Sequence, residues 1–163
     1  MPLIYNHYDP QKVDWRHVTD PTCKAFRVEF YYSLLGYDIP SGRLDMLLRY
    51  VPGAHCRRHR HRASTMTLVL EGEQHLDELQ LDGSTKRIIR KKGNYALSPF
   101  DALPHDEWGG PDGGIVLYSL HAPEGVIFQY FNEDMTDTWT TSVAEFAKSW
   151  EGGTIYGWRP EAA

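Results

Sequence analysis

A two-residue alternation of apolar and polar side chains recurs along most of the chain, and glycine, proline, asparagine and aspartate break it at short intervals. Residues 26–35, FRVEFYYSLL, form the first such run, dense in aromatic and β-forming side chains. The segment GYDIPSG then reads as a turn. Residues 43–51 set Leu44, Met46, Leu48 and Tyr50 against Asp45, Leu47, Arg49 and Val51, which predicts a strand with one face fully buried, and Pro52-Gly53 ends it. Further strands are predicted over residues 59–63, 65–70, 74–81, 85–90, 95–98, 115–121 and 126–131. Glu71-Gly72-Glu73 reads as a tight turn, Asp82-Gly83 as a hairpin, Lys92-Gly93-Asn94 as another turn, and residues 101–114, DALPHDEWGGPDGG, as a loop.

The period changes only near the end. Ser142-Val143-Ala144-Glu145 fits a capping box, Val143, Phe146, Ala147 and Trp150 make an apolar stripe at helical spacing, and Gly152-Gly153 stops the helix. Many short strands with turn signals between them predict an all-β sandwich or barrel carrying one C-terminal helix. Residues 1–22 show little periodicity and read as an arm, lying over the barrel or reaching a neighbouring subunit. No repeat array or linker divides the chain.

Composition narrows the function classes. At 163 residues one domain buries about 70% of the surface its unfolded chain would expose, without needing a disulfide. The two cysteines, Cys23 and Cys56, form no C-x-x-C motif, and a reducing cytoplasm is the expected location. No apolar run approaches the roughly 20 residues of a membrane helix. A formal charge of −5 argues against nucleic-acid binding. Two basic clusters, Arg57, Arg58, Arg60 and Arg62, then Lys86, Arg87, Arg90, Lys91 and Lys92, read as solvated strand faces or as a positive field for anionic small molecules.

The candidate chemistry lies in PGAHCRRHRHRASTMTLVLEG, where His59 and His61 are two residues apart in a strand-like run. Side chains so spaced share a face, roughly 6.6 Å apart at Cα. Two imidazoles can then converge on one ion, with metal–nitrogen bonds of about 2.0–2.1 Å, while Arg58, Arg60 and Arg62 point outward. Around this pair the sequence resembles the two motifs of the cupin superfamily. Gly53, His59, His61 and Gly72 match G-x5-H-x-H-x3,4-E-x6-G, with Thr65 standing where the glutamate belongs. Gly93 and Pro99 match the start of G-x5-P-x-G-x2-H-x3-N; His105 arrives one residue late, with Asp101 for the glycine and Gly109 for the asparagine.

The resemblance implies a double-stranded β-helix, a jelly-roll barrel, over residues 26–135, with an N-terminal arm over 1–25 and a C-terminal helix and tail over 136–163. It implies His59, His61 and His105 as metal ligands, with His55 or His75 as a possible fourth. Thr65 takes the carboxylate's place without binding, or Met66 faces the site if a bulge shifts the strand. Loss of the glutamate is similar to the three-histidine group that includes acetylacetone (β-diketone) dioxygenases and ChrR-like cupins. That likeness implies an Fe(II) dioxygenase cleaving a C–C bond of a small dicarbonyl or hydroxyketone, since three histidines leave an ion's double charge uncompensated and three positions open. Zinc, manganese, nickel or copper are alternatives, in a Lewis-acid enzyme or a non-enzymatic sensing domain. Thr65, Phe100, Trp108 and Tyr118 are candidate pocket residues. Asp106 and Glu107 read either as acceptors for an imidazole N–H or as solvated loop charges. The expected partners are a small anionic or enolisable substrate and a second copy of the chain in a homodimer, with no nucleic acid and no membrane.

Overall fold

A computed structural model describes residues 4, 5, 9 and 11–153. The parts of the expected arm at residues 1–3, 6–8 and 10, and the tail over 154–163, lie outside them. The elements run β1 (Ile4–Tyr5), β2 (Arg16–Asp20), β3 (Val28–Asp38), β4 (Arg43–Tyr50), β5 (His59–His61), β6 (Ser64–Leu79), β7 (Thr85–Lys91), β8 (Tyr95–Ser98), β9 (His105–His121), β10 (Val126–Phe131), β11 (Thr138–Ser142) and α1 (Val143–Gly152). Every strand pair is antiparallel, and the sheet curls along the order β1-β3-β4-β9-β5-β10-β11, with β2 on β3 and with β6, carrying β7 and β8, on β9.

The buried positions follow the pleat. Leu44, Met46, Leu48 and Tyr50 of β4 all face the interior, as the alternation predicts, and the first three stand beside their cross-strand partners Leu120, Tyr118 and Val116 on neighbouring β9. Helix α1 begins at the Ser142–Glu145 capping box and stops at Gly153, whose left-handed conformation (φ 68°) only glycine adopts without strain. Its buried stripe is Val143, Phe146, Ala147 and Trp150, and Phe146 and Trp150 pack edge-on against Tyr32 with ring centroids 5.4 and 5.5 Å away. Among the described residues no helix is long and apolar enough to cross a membrane.

The structure corrects the sequence reading in several places; the turn read over GYDIPSG, for one, begins only after Asp38, because residues 36–38 still pair with β4. The stretch read as a loop over residues 101–114 enters the sheet at His105, and β9 runs on from there for 17 residues. Gly110, Pro111 and Gly113 fall in an excursion: the register against β6 jumps from Gly114↔Gly72 to Gly109↔Gln74, so residues 110–113 stand opposite Glu73 alone. The turn read at residues 71–73 is the matching kink in a continuous β6. Gly72 has φ +61°, and a Cβ there would lie 2.4 Å from the carbonyl oxygen of Gly113, so this glycine is fixed by the close approach of two strands. Finally, β2 and β11 are strands that the sequence does not announce; β2 pairs along β3, which makes that part of the arm an integral strand of the sheet.

Candidate metal centre

The short strand β5 puts His59 and His61 on the inner face and Arg60 between them on the outer one. It pairs with β10, His59 opposite Tyr130 and His61 opposite Phe128, and touches β9 at a single position, His59 opposite His105. From β9 the pleat sends His105 and Glu107 to the same inner face. Four donors thus meet: His59 (6% exposed), His61 (6%), His105 (8%) and Glu107 (1%), with ligand atoms all within 4.8 Å of one another.

The outer nitrogen of each imidazole is held, and this decides what the inner one presents. His59 Nδ1 lies 2.7 Å from the Arg57 carbonyl oxygen and His105 Nδ1 lies 3.1 Å from that of Leu103. A carbonyl only accepts, so both Nδ1 atoms carry the proton. His61 Nδ1 is 2.9 Å from Thr65 Oγ1, whose own proton goes to the Ala63 carbonyl at 3.1 Å, so this Nδ1 donates too. In the neutral rings all three Nε2 atoms are then bare lone pairs directed at one another. His59 Nε2 is 3.3 Å from His61 Nε2, and Glu107 Oε2 is 3.3 Å from His59 Nε2 and 3.5 Å from His105 Nε2. Two donors about 2.1 Å from one ion stand about 3.0–3.4 Å apart at octahedral or tetrahedral angles. Converging lone pairs and a buried carboxylate suit a cation, and a divalent metal fits this donor set.

The electrostatics of the cluster agree. Burial, reinforced by the neighbouring His59 and His105, holds His61 well below the ordinary histidine range, so its ring is neutral. Burial opposes ionisation of Glu107, but the hydrogen bonds that His105 and His59 give it when their Nε2 atoms carry a proton in place of a metal outweigh it, and the carboxyl sits well below its ordinary value. The other carboxylate oxygen, Oε1, accepts hydrogen bonds from the hydroxyls of Tyr50 and Tyr118. Burial, and then the adjoining carboxylate, push both phenols well above their ordinary range, which keeps them protonated donors.

A cavity of about 40 Å³ lies beside the cluster, walled by Val18, Val28, Phe30, Met46, Leu48 and Phe128 as well as His59, His61, Glu107 and Tyr118. Apart from the donor set and Arg57 its walls are mainly apolar, and it has room for a ligand of a few atoms. Arg57 also borders it; its guanidinium is tied to the buried Asp20 and, at 2.8 Å, to Thr22 Oγ1, which fastens β2 to the base of β5.

The structure brings together some expected site residues and disperses others. Tyr118 lines the cavity, and Thr65 faces inward, fully buried against His61, while Met66 points away. His55 and His75 do not reach the cluster. His55 is stacked between Phe26 and Trp108 at 4.5 and 4.8 Å, and His75 Nε2 pairs with Glu73 at 2.7 Å; both belong to the outer face of the sheet. Trp108 stands on that outer face too, because it is one residue from Glu107 and the pleat alternates, and Arg87 lies 4.8 Å over its ring. Phe100 is 52% exposed and borders a separate surface groove with Arg62 and Asp101. The largest correction concerns Glu107, which the sequence leaves open between an acceptor and a solvated loop charge. It is fully buried, and the cluster is three histidines with a carboxylate. The outward arginines are engaged as well: Arg58 with Asp106, Arg60 with Gln129 and Arg87 with Asp77.

No family model matches the chain, and no curated protein matches it. Among solved structures it is similar to an RmlC-like cupin from Shewanella frigidimarina, at 21% identity over 74% of this chain and 94% of that one, with a TM-score of 0.51. A protein of Methylibium petroleiphilum provisionally described as an acetylacetone dioxygenase matches over 90% of this chain and 95% of its own, with 16% identity and a TM-score of 0.62. A variant of Bacillus subtilis oxalate decarboxylase matches 87% of this chain at 14% identity and a TM-score of 0.53, although this chain spans only 36% of it. Likeness at these identities speaks for the fold. The chain has the cupin fold, with a buried donor set of three histidines and one glutamate in its barrel.

Proposed function

We propose that the protein is a metal-dependent cupin enzyme, a non-heme Fe(II) dioxygenase that cleaves a C–C bond of a small dicarbonyl or hydroxyketone compound. The observation that carries this reading is the convergence of three Nε2 lone pairs and Glu107 Oε2 with every Nδ1 tied outward. The likeness in fold to the protein described as an acetylacetone dioxygenase, along nearly the full length of both chains, supports it. Ferrous iron held there supplies the redox chemistry by which dioxygen cleaves a C–C bond of an enolised dicarbonyl compound.

The residues set the terms of that reaction. Glu107 cancels one unit of the ion's double charge, which three histidines alone would leave in place. His59, His61, His105 and Glu107 would hold the ion beside the cavity, where a small enolisable substrate would have access to it. Met46, Leu48, Phe30 and Phe128 exclude water and receive the alkyl body of the substrate. With a cavity of about 40 Å³ the fit favours the smallest members of the class. Tyr50 and Tyr118, already committed to Glu107, act as clamps on the carboxylate and not as proton donors to substrate.

Oxygen uptake after anaerobic reconstitution with Fe(II), across small β-diketones and hydroxyketones, tests the reading. Uptake dependent on both iron and substrate is expected, and uptake no greater than in the metal-free control across the panel would overturn it. Glu107 admits a second reading, a Zn(II) or Mn(II) Lewis-acid enzyme promoting cyclisation, isomerisation or hydrolysis, because imidazole and carboxylate donors together suit those ions as well as iron. Stoichiometric zinc or manganese without iron, in protein purified without added metal, would select it.

A further inference from the structure

Behind Glu107 the donors and acceptors form a directional chain that ends at the protein surface. Gln74 of β6 is 1% exposed, and its side-chain nitrogen Nε2 lies 2.6 Å from the Tyr118 hydroxyl, 3.1 Å from that of Tyr50 and 3.2 Å from Glu107 Oε1. Its oxygen accepts from Arg90 Nη1 at 2.9 Å, where Arg90 is its cross-strand partner on β7. An amide can be turned end for end with little change of shape, so its orientation is set by its partners. A guanidinium has only donors, and Arg90 therefore holds the amide oxygen outward and the NH₂ inward. With an N–H directed at its oxygen, the Tyr118 hydroxyl spends its single proton on Glu107, and Tyr50 does the same. Both phenols then donate to Oε1, with the Gln74 amide nitrogen 3.2 Å away, and none of this set reaches Oε2, which is left for the histidine cluster.

We propose that Gln74 and Arg90 are positioning residues for the metal centre, which fix Glu107 as an anionic ligand that binds through Oε2 alone. The proposal rests on the metal-site reading above. A turned amide would place its oxygen against the tyrosines and draw their protons away from Glu107. Oε1 would then be free to join Oε2 on the ion, and the centre would gain a donor and lose an open position. Arg90 sits half-buried at the inner face of β7, so the side chain that sets this choice is reachable from outside the barrel.

Co(II) is the probe, because its visible absorption reports donor number without turnover. Gln74→Glu keeps the shape and the acceptor for Arg90 but removes the N–H groups. Arg90→Met removes the outer anchor at a position that tolerates exposure, and Arg90→Lys restores a donor. Arg87→Met, on the outer face of the same strand, is the control. Gln74→Glu and Arg90→Met are expected to change the Co(II) spectrum and weaken binding roughly 10–100-fold, the usual cost of losing an outer partner. Arg90→Lys should recover the native spectrum, and Arg87→Met should never lose it. Circular dichroism and thermal melts of the metal-free variants establish that they fold, and Arg90→Met carries the test if Gln74→Glu does not. Native spectra with affinity within twofold in Arg90→Met would overturn the positioning role while leaving the metal site standing. Failure of the native protein to take up one equivalent of Co(II) would overturn both.

Discussion

Two acidic residues stand side by side on β9, and the pleat sends them to opposite worlds. Asp106 faces outward and receives a two-pronged hydrogen bond from Arg58, Nε at 2.9 Å and Nη2 at 2.8 Å, with its side chain 17% exposed. Glu107 faces inward at 1% exposure, with two phenols and an amide on one oxygen and two imidazoles on the other. Both are carboxylates paired with donors, yet only one stands among unspent lone pairs. A partly solvated ion pair contributes about 1 kcal/mol or less, because water already serves both charges. A buried carboxylate has no such alternative, and removing its partners costs several kcal/mol. Function therefore follows from the face a residue is on, which a single step along the strand reverses.

The largest expected effect comes from Glu107→Gln. The amide keeps the shape and accepts from Tyr50 and Tyr118, but it cannot supply a negative charge. Metal affinity should fall by more than the roughly 100-fold that losing an outer partner costs, as measured by competition with a chromophoric chelator; affinity within tenfold of native would remove Glu107 from the donor set. The metal-free protein offers a second readout. Because the folded carboxyl sits well below its ordinary value of 4.5, it contributes stability that is present above that value and lost as pH falls through the lower folded-state value. Melting temperature against pH should therefore have a flatter acid limb in Glu107→Gln than in the native protein.

Trp108 sharpens the contrast from the outer face. Trp108→Ala breaks the stack that runs from Phe26 through His55 to Trp108 and frees Arg87 from its ring, and should cost about 1–3 kcal/mol of stability by denaturant titration. Metal affinity should stay within twofold. A large loss of metal binding without loss of stability would mean that Trp108 reaches the cluster after all.

The same alternation governs how much could be read from the chain. His59 and His61 were legible because spacing by two on a strand is itself a signal, and β4 was legible because its apolar and polar positions alternate cleanly. The motif's glutamate position was legible as an absence. What replaces it was not: Glu107 repeats the spacing of His59 and His61 as His105-Asp106-Glu107, but the glycines and proline just beyond it made the stretch read as loop. Once those residues are seen as an excursion within a strand, the i, i+2 pair is plain. Gln74 escaped for a different reason. A polar residue facing inward looks the same in sequence as one facing out, and only the register with Arg90 and the approach of Glu107 reveal its partners.

Thr65 tests the remaining inner contact. Its hydroxyl accepts from His61 Nδ1 and passes its own proton to Ala63. Thr65→Val keeps the volume and removes the acceptor, which leaves the ring free to present either tautomer. Affinity for Co(II) should drop about tenfold, with Thr65→Ser close to native. An unchanged affinity in Thr65→Val would show that packing against Phe128, 5.1 Å away, suffices to orient His61.

Asp106→Asn should have the smallest effect, and its smallness is what gives the comparison its force. The substitution keeps the size and one acceptor for Arg58 while removing the charge, at a site where Arg58 also donates to the Glu133 carbonyl at 3.1 Å. Stability should fall by about 1 kcal/mol or less, and by less still in high salt, where exposed charges are screened. Metal affinity and the Co(II) spectrum should match the native protein. If instead the metal site responded to Asp106→Asn as it does to Glu107→Gln, the two faces of β9 would be electrostatically coupled through the strand. Burial of Glu107 would then no longer explain why it alone is placed to serve as a ligand.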